Sequence, residues 1–406
     1  MSTKRWICCQ LGAREHYAVA RALHADGLLD ALVTDAWVTP GHPFGWLRRS
    51  IRERYHPELK SATVFAWNMA AIAFELSVRR RGLHGWDCIL ARNRWFQRQA
   101  IAALSRWCDS RPATTHSQTT LFCYSYAARE LFRFARARGW RTVLGQIDPG
   151  PVEERLLARL QQAAGGQVSG WTPAPAEYWR NWREECALAD RIVVNSNWSR
   201  EALTVEGVPA EKIAVVPLAY SPPTGAAGFQ REYPAAFTAE RPLRVLFLGQ
   251  VNLRKGSMPL MEAMRELRHE PVEFIIAGPL QFEVPANLLN QPRVRWLGAV
   301  PRGAAARFYK NADVFLFPTF SDGFGLTQLE AQAWKLPMIV SRFCGEVVQD
   351  GRNGLLLPEV TSEAIAGALR QCVARPGLLA TFARNSITAG QFSLTRLRES
   401  LCSVTN

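Results

Sequence analysis

The sequence has no Cys-x-x-Cys pair, and its nine cysteines are odd in number and scattered. Its seven histidines form no ligand cluster with them. This distribution is typical of a cytosolic protein whose cysteines are reduced and mostly buried. It argues against a disulfide framework or a zinc site. The start, MSTKRWICCQLG, has too short an apolar stretch for a signal peptide and predicts a first strand. We therefore expect a cytoplasmic protein.

A long apolar run is also lacking. The longest apolar segment, residues 61–78 (SATVFAWNMAAIAFELSV), is interrupted by Asn68 and Glu75. A membrane-spanning helix needs about 20 predominantly apolar residues. The segment therefore predicts a buried or interfacial helix, and no transmembrane helix is expected.

Lysine is scarce, because only six of the 49 basic residues are Lys, while the formal net charge is +14. Residues 37–100 carry 11 basic and four acidic side chains. Within them WLRRSIRERY (46–55) predicts a basic amphipathic helix, suited either to anionic lipid headgroups or to phosphorylated ligands. A solvated helix face is the alternative. No nucleic-acid motif accompanies the charge, so no nucleic-acid partner is expected.

The length of 406 residues suits two domains, and 48% hydrophobic with 21% charged residues is an ordinary globular balance. Short apolar runs alternate with helical patterns on both sides of residues 221–242, which are rich in Pro, Gly and Ala. We predict an α/β protein with two doubly wound, Rossmann-like domains facing a cleft. The predicted parts are a first domain 1–220, a linker 221–242, a second domain 243–360 and C-terminal helices 361–406 that pack back on the body.

One stretch in the second half, FSDGFGLTQLEAQA (320–333), follows an apolar run and sets Asp322 and Glu330 eight residues apart. Gly323 and Gly325 let the backbone approach a ligand closely. The amide groups that then open the predicted helix form a candidate anion site; they belong to Phe324, Gly325 and Leu326. Carboxylates on both sides of a phosphate site suit a nucleotide sugar. The alternative is a helix cap at Ser321 or Asp322 with a surface Glu.

A second strand–loop–helix unit of the same half contains GQVNLRKGS (249–257). Gly249 and Gln250 end its strand, and Arg254 and Lys255 follow in the loop. Ligands of such sheets bind beyond the carboxyl ends of the strands. Arg254 and Lys255 are therefore predicted to reach a pyrophosphate in the cleft.

The segments LGQVNLRKGSMPLMEAM, FIIAGP, VRWLGAVP and SDGFGLTQLEAQAWKLPMIVS, in this order, resemble the donor domain of glycosyltransferase family 4 (group 1). That family contains retaining enzymes of the GT-B fold. The resemblance is strong over about residues 185–360 and weak over the first 150. It implies that Asp322 binds the donor sugar, where the family usually has Glu, and that Glu330 binds the ribose. It also implies that Lys255 is the family's lysine, and that Arg254 replaces the Arg usual at the position of Gln250.

On the acceptor side, Gly12 and His16 follow the first strand, where the family often has a flexible glycine loop. A tight turn with a surface His is the alternative. Asp148 ends a predicted strand near the position of a polar residue that faces the reacting sugar in the family, although Asp before Pro is also a common turn former.

The catalytic residues implied are Asp322, Arg254, Lys255 and Asp148. No nucleophile–base constellation is evident, which fits deprotonation of the acceptor by the leaving diphosphate. No Asp-x-Asp occurs in the chain, so we expect no metal and no cofactor.

The sequence thus predicts transfer of a hexose from a nucleotide sugar to a glycan or lipid-linked acceptor, in bacterial envelope or exopolysaccharide synthesis. The enzyme would be cytoplasmic or peripheral at the inner face of the plasma membrane. Two alternatives stay open: a nucleotide-sugar epimerase of the same fold, and a non-catalytic protein that binds nucleotide sugars or glycans.

Overall fold

The computed structural model describes residues 5–41, 54–110, 118–165, 171–386 and 389–405. In this part of the chain two parallel sheets form, and helices connect their strands. The predicted α/β class with two doubly wound halves is confirmed.

The first sheet has seven strands in the order β3-β2-β1-β4-β5-β6-β7. Every strand pair in it is parallel, and Cys9 of β1 lies opposite Cys123 of β4. All six residues of β4, TTLFCY, are buried, as expected where helices cover both faces of a parallel sheet. The strand bounds are β1 Arg5–Gln10, β2 Leu29–Thr34, β3 Val64–Phe65, β4 Thr119–Tyr124, β5 Arg141–Gly145, β6 Arg191–Val194 and β7 Ile213–Val215.

The second sheet has six strands in the order β10-β9-β8-β11-β12-β13, again all parallel. The strand β8 therefore lies between β9 and β11, and the order of the strands reverses there. Ligands of open sheets bind beside such a reversal. The bounds are β8 Leu243–Leu248, β9 Val272–Ala277, β10 Val294–Gly298, β11 Val314–Phe317, β12 Met338–Ser341 and β13 Gly354–Leu357.

The α-helices of the described residues cover both sheets. Those of the first half are Ala18–Ala25, Asn68–Arg80, Gly85–Asp109, Arg129–Arg136, Pro151–Ala163, Ala176–Leu188 and Asn197–Val205. Those of the second half are Ser257–Glu266, Ala286–Leu289, Ala305–Asn311, Leu326–Ala333, Ser362–Ala374, Pro376–Arg384 and Leu394–Val404.

Residues 221–242 contain no helix or strand, although they are tied to the second half. The Arg231 guanidinium donates to the carbonyl oxygens of Trp334 and Ala312 at 2.8 and 2.6 Å, and Phe237 is part of the core under the second sheet. The domain boundaries given above stay a prediction.

The last helix, Leu394–Val404, lies on the first half. Its Leu397 and Leu401 are buried in one core with Tyr17 and Leu23, beside the helix Ala18–Ala25. The prediction that the C-terminal helices pack back on the body is confirmed for this helix.

The apolar segment 61–78 forms the helix Asn68–Arg80, which buries only Phe74 and Val78. Met69 and Leu76 are 66% and 50% exposed. The prediction of a buried helix is therefore wrong, and the alternative of an interfacial helix stays a prediction. Most of the amphipathic helix predicted over 46–55 lies outside the described residues. None of the helices in the described ranges is both long and apolar enough to cross a bilayer.

Candidate active site

Two loops at the carboxyl ends of β8 and β11 build the centre of the candidate site. After β8 the 3-10 turn Leu253–Lys255 carries Arg254 and Lys255. The Asn252 side chain caps this turn by accepting a hydrogen bond from the Lys255 amide at 3.0 Å. The neighbouring strand β11 is followed by the loop that carries Asp322. The two predicted anion sites therefore do converge.

The side chains of Lys255, Arg254 and Asp322 form one ion cluster. The Lys255 ammonium donates to Asp322 Oδ2, and Arg254 Nη1 lies 3.4 Å from the same oxygen. Arg254 Nη1 also donates to the Ser321 carbonyl oxygen at 2.8 Å. Burial alone would raise the pKa of Asp322, but Lys255 and Arg254 outweigh it and lower this pKa to about 2. The carboxylate is therefore ionised at neutral pH.

The loop between Asp322 and the helix needs its glycines. Gly325 precedes the helix Leu326–Ala333 with φ of 83°, which is left-handed backbone. A Cβ at Gly323 would lie 2.1 Å from the Ile147 carbonyl oxygen of the first domain. One part of the sequence interpretation is wrong: the Phe324 amide is not available to a phosphate, because it donates to Asp322 Oδ1 at 3.1 Å.

The remaining predicted donor-side residues are Glu330, Gly249 and Gln250. Glu330 lies one helical turn beyond Leu326, as predicted, and accepts a hydrogen bond from the Tyr309 hydroxyl at 2.8 Å. Gly249 directly follows β8 and donates its amide to the Ala277 carbonyl oxygen at 2.9 Å. Gln250 is exposed. Their contacts with a donor stay predictions.

Asp148 lies across the cleft, after β5. Its Oδ1 accepts hydrogen bonds from the Tyr126 hydroxyl, the Gln146 side chain and the Gly150 amide. Burial raises the pKa of this carboxyl. Asp148 also lines a cavity of about 190 Å³. Asp148 therefore stabilises a turn, as one interpretation of the sequence has it, and also lines a cavity, as the other requires.

The other predicted acceptor-side residues lie near this cavity but not in its wall. Gly12 donates its amide to Asp35 Oδ1 at 2.8 Å. His16 belongs to the 3-10 turn Arg14–Tyr17, and the residue of that turn that lines the cavity is Arg14. The sequence reasoning missed Arg14, although its position between Gly12 and His16 after a strand could have indicated it.

The sequence reasoning also missed Glu153, in the first turn of the helix Pro151–Ala163. Its Oε2 accepts a hydrogen bond from the Ser321 hydroxyl at 2.6 Å, and its Oε1 lies 3.8 Å from Arg254 Nε. Burial raises the pKa of this carboxyl to about 7, although Arg254 lowers it. A first-domain carboxyl therefore reaches the centre of the second-domain site.

Two further hydrogen bonds join the domains here. The Trp198 indole donates to the Ser321 hydroxyl oxygen at 3.1 Å, and the Asn197 amide donates to Glu346 Oε1 at 2.8 Å. Within the described ranges, no group of three or more His, Cys, Asp or Glu side chains is placed to hold a metal ion.

Residues 242–375 match the family model of the group 1 glycosyl transferases. This third of the chain is therefore similar to a group 1 glycosyltransferase domain. This domain contains Arg254, Lys255, Asp322 and Glu330, so the resemblance found in the sequence is confirmed at the level of the group. The number of the family within it stays a prediction.

Relatives match a longer part of the chain. The D-inositol 3-phosphate glycosyltransferase of Kineococcus radiotolerans is 28% identical over 270 residues, which are 59% of this chain and 61% of the relative. The enzyme of the same name from Mycobacteroides abscessus is 30% identical over 255 residues, 58% of this chain and 56% of the relative. The chain thus matches less than two thirds of the length of these relatives.

Solved structures match both domains. Anabaena HepE in complex with UDP and glucose has a TM-score of 0.61 at 14% identity and covers 99% of each chain. Sucrose-phosphate synthase from Thermosynechococcus elongatus has a TM-score of 0.64 at 16% identity, covering 99% of this chain and 98% of its own. The group 1 domain is therefore one half of a two-domain GT-B fold, as predicted.

Proposed function

We propose that the protein is a glycosyltransferase that moves a hexose from a nucleotide sugar to a glycan or lipid-linked acceptor with retention of configuration. The observation that carries this proposal is the cluster of Arg254, Lys255 and Asp322 at the carboxyl ends of β8 and β11. The group 1 family match over the same residues supports it. The UDP and glucose bound by HepE support a nucleotide-sugar donor.

The cluster supplies both kinds of group that such a donor needs. Arg254 and Lys255 bind the pyrophosphate and stabilise the charge that it gains as it leaves. Asp322, held ionised by these cations, accepts hydrogen bonds from hydroxyls of the donor sugar. Glu330, one helical turn beyond Leu326, does the same for the ribose.

In the reaction the bond between the sugar C1 and the diphosphate oxygen breaks, and C1 bonds to the acceptor oxygen on the same face. The acceptor hydroxyl gives its proton to the leaving diphosphate. Asp148 and Arg14 position this acceptor from the cavity of the first domain. Because two protein cations neutralise the pyrophosphate, we propose that the transfer needs no metal ion.

We further propose that the enzyme acts at the inner face of a bacterial plasma membrane, in envelope or exopolysaccharide synthesis. Met69 and Leu76 are exposed on the helix Asn68–Arg80, and three exposed arginines, Arg79 to Arg81, follow them. An apolar surface beside a basic one suits an anionic bilayer. The enzyme should co-sediment with vesicles that contain anionic lipid and less with neutral ones.

A matched pair of variants tests this surface. Met69→Ser with Leu76→Ser should weaken co-sedimentation, whereas Val205→Ser, at a residue 73% exposed on another helix, should not. Equal binding of all forms, or none to either kind of vesicle, would refute the membrane part.

The donor site is tested by thermal shift with UDP, GDP, ADP and their glucose conjugates. One nucleotide should stabilise the wild type and not Glu330→Ala, while Glu283→Ala, at an exposed carboxylate of the same domain, should keep the wild-type shift. No shift with any of them would refute the proposal. With the identified donor, interconversion of the sugar without an acceptor would indicate an epimerase, and binding without any turnover would indicate a binding protein.

A further inference from the structure

We propose that Glu153 is a positioning residue of the donor site: it holds Arg254 as an internal anion and releases it, with uptake of one proton, when the diphosphate binds. This inference rests on the proposed function. It assigns to the first domain a direct part in donor binding, and it makes the affinity for the donor depend on pH.

The geometry joins Glu153 to both sides of the cluster. One carboxyl oxygen accepts from the Ser321 hydroxyl at 2.6 Å, and the other lies 3.8 Å from Arg254 Nε. Ser321 directly precedes Asp322, and Arg254 also contacts that carboxylate. Glu153 therefore competes with a phosphate oxygen for Arg254 while staying bound to the donor loop.

The hydrogen-bond direction fixes which oxygen of Glu153 can take the proton. The Trp198 indole, which can only donate, donates to Ser321 Oγ at 3.1 Å. Ser321 in turn donates its single hydroxyl proton to Glu153 Oε2, so that this oxygen is an acceptor. A proton on Glu153 belongs on Oε1, which faces Arg254. From there it can be donated to a phosphate oxygen once Arg254 has turned to the diphosphate.

The charges around Glu153 favour this exchange. The charged groups that face it are Asp148 in the first domain and Asp322 and Arg254 in the second, with Lys255 behind Asp322. Two of its neighbours are therefore carboxylates, and Arg254 is the cation next to it. A diphosphate that draws Arg254 away adds negative charge and removes that cation, so both changes favour the protonated carboxyl. The N-terminal position in its helix opposes them weakly.

The consequence is a pH-dependent affinity. Burial places the pKa of Glu153 at about 7 in the free protein. Below this pH the carboxyl is already neutral, whereas above it each binding event must take up a proton. The Kd for the nucleotide should then rise up to about tenfold per pH unit. A terminal phosphate loses its last proton near pH 6, below this window.

The test measures the Kd of UDP, GDP and ADP by titration calorimetry between pH 6.5 and 8.5, in two buffers of different ionisation enthalpy. With the nucleotide that binds, the wild type should take up protons at pH 8 and bind more weakly as the pH rises. Glu153→Gln, which keeps an acceptor oxygen for Ser321, should lose both effects. Ser321→Ala should move the onset to higher pH, because the lost hydrogen bond stabilises ionised Glu153.

The neighbouring Glu154 provides the matched control. It accepts hydrogen bonds from the Ala174 amide and the Trp179 indole, at 2.6 and 2.7 Å, within the first domain. Glu154→Gln should keep the wild-type pH slope. Nucleotide binding with the same slope in wild type and Glu153→Gln would overturn this inference alone. No binding of any of the three nucleotides by the wild type would overturn the proposed function and this inference with it.

Discussion

The ion pair of Lys255 and Asp322 gives the sharpest prediction on stability. Both side chains are largely buried, and the folded protein lowers the pKa of Asp322 from 3.8 to about 2. A pKa lowered in the folded state stabilises the protein above the unfolded value, and this stability disappears as the pH falls from about 4 through 2. The shift corresponds to about 2 kcal/mol at neutral pH.

Asp322→Asn removes this contribution and leaves Lys255 buried beside a neutral amide. We therefore expect a loss of about 2–3 kcal/mol at pH 7. For a domain of this size such a loss lowers the Tm by about 5–10 °C. The Tm is measured for the thermal transition that UDP or another bound nucleotide shifts in the wild type, because that transition reports the unfolding of the second domain.

The decisive comparison is a double-mutant cycle with Lys255→Met. The double variant should be less destabilised than the sum of the two single variants, because no unpaired charge stays buried in it. A coupling energy under about 0.5 kcal/mol, or two single variants with the wild-type Tm, would refute the ion pair as described.

Three further predictions concern other parts of the molecule. Glu185 accepts hydrogen bonds from the amides of Tyr126, Ala128 and Arg129, and burial raises its pKa from 4.5 to about 7; the wild type should therefore lose about 3 kcal/mol between pH 4.5 and 7. Glu185→Gln should lack this loss, so its Tm relative to wild type should rise by several degrees between pH 5 and 8; an unchanged difference would contradict this. Leu401→Ala, at a fully buried residue of the last helix, should cost about 2–5 kcal/mol, measured by chemical unfolding, with the exposed Val205→Ala as a control that stays near wild type. Excess EDTA should leave the transfer rate unchanged, and loss of activity that Mg²⁺ restores would contradict a metal-independent transfer.

The fold could be predicted from the sequence because parallel strands that are covered on both faces show up as short continuous apolar runs. The runs RVLFLG, EFIIAG and DVFLFP are all strands of the second sheet. Whether a helix is buried or exposed is harder to predict from composition. The segment 61–78 is mostly apolar, yet its helix Asn68–Arg80 buries only Phe74 and Val78.

The candidate site was predictable where it depends on local chain geometry. Arg254, Lys255 and Asp322 each follow a strand of the same sheet, and the ends of neighbouring parallel strands meet. Glu153 was not predictable, because its sequence context is an ordinary acidic first helix turn. Its role depends on how the two domains face each other, and no local pattern encodes that orientation.

The last helix has a consequence for motion between the domains. The chain enters the second half near Tyr220 and leaves it after Phe392; both residues pack in a core of that half, and the Tyr220 amide donates to the Phe392 carbonyl oxygen at 2.9 Å. The two passages therefore run side by side. Two connections held together in this way restrict the relative motions of the two halves more than a single linker would.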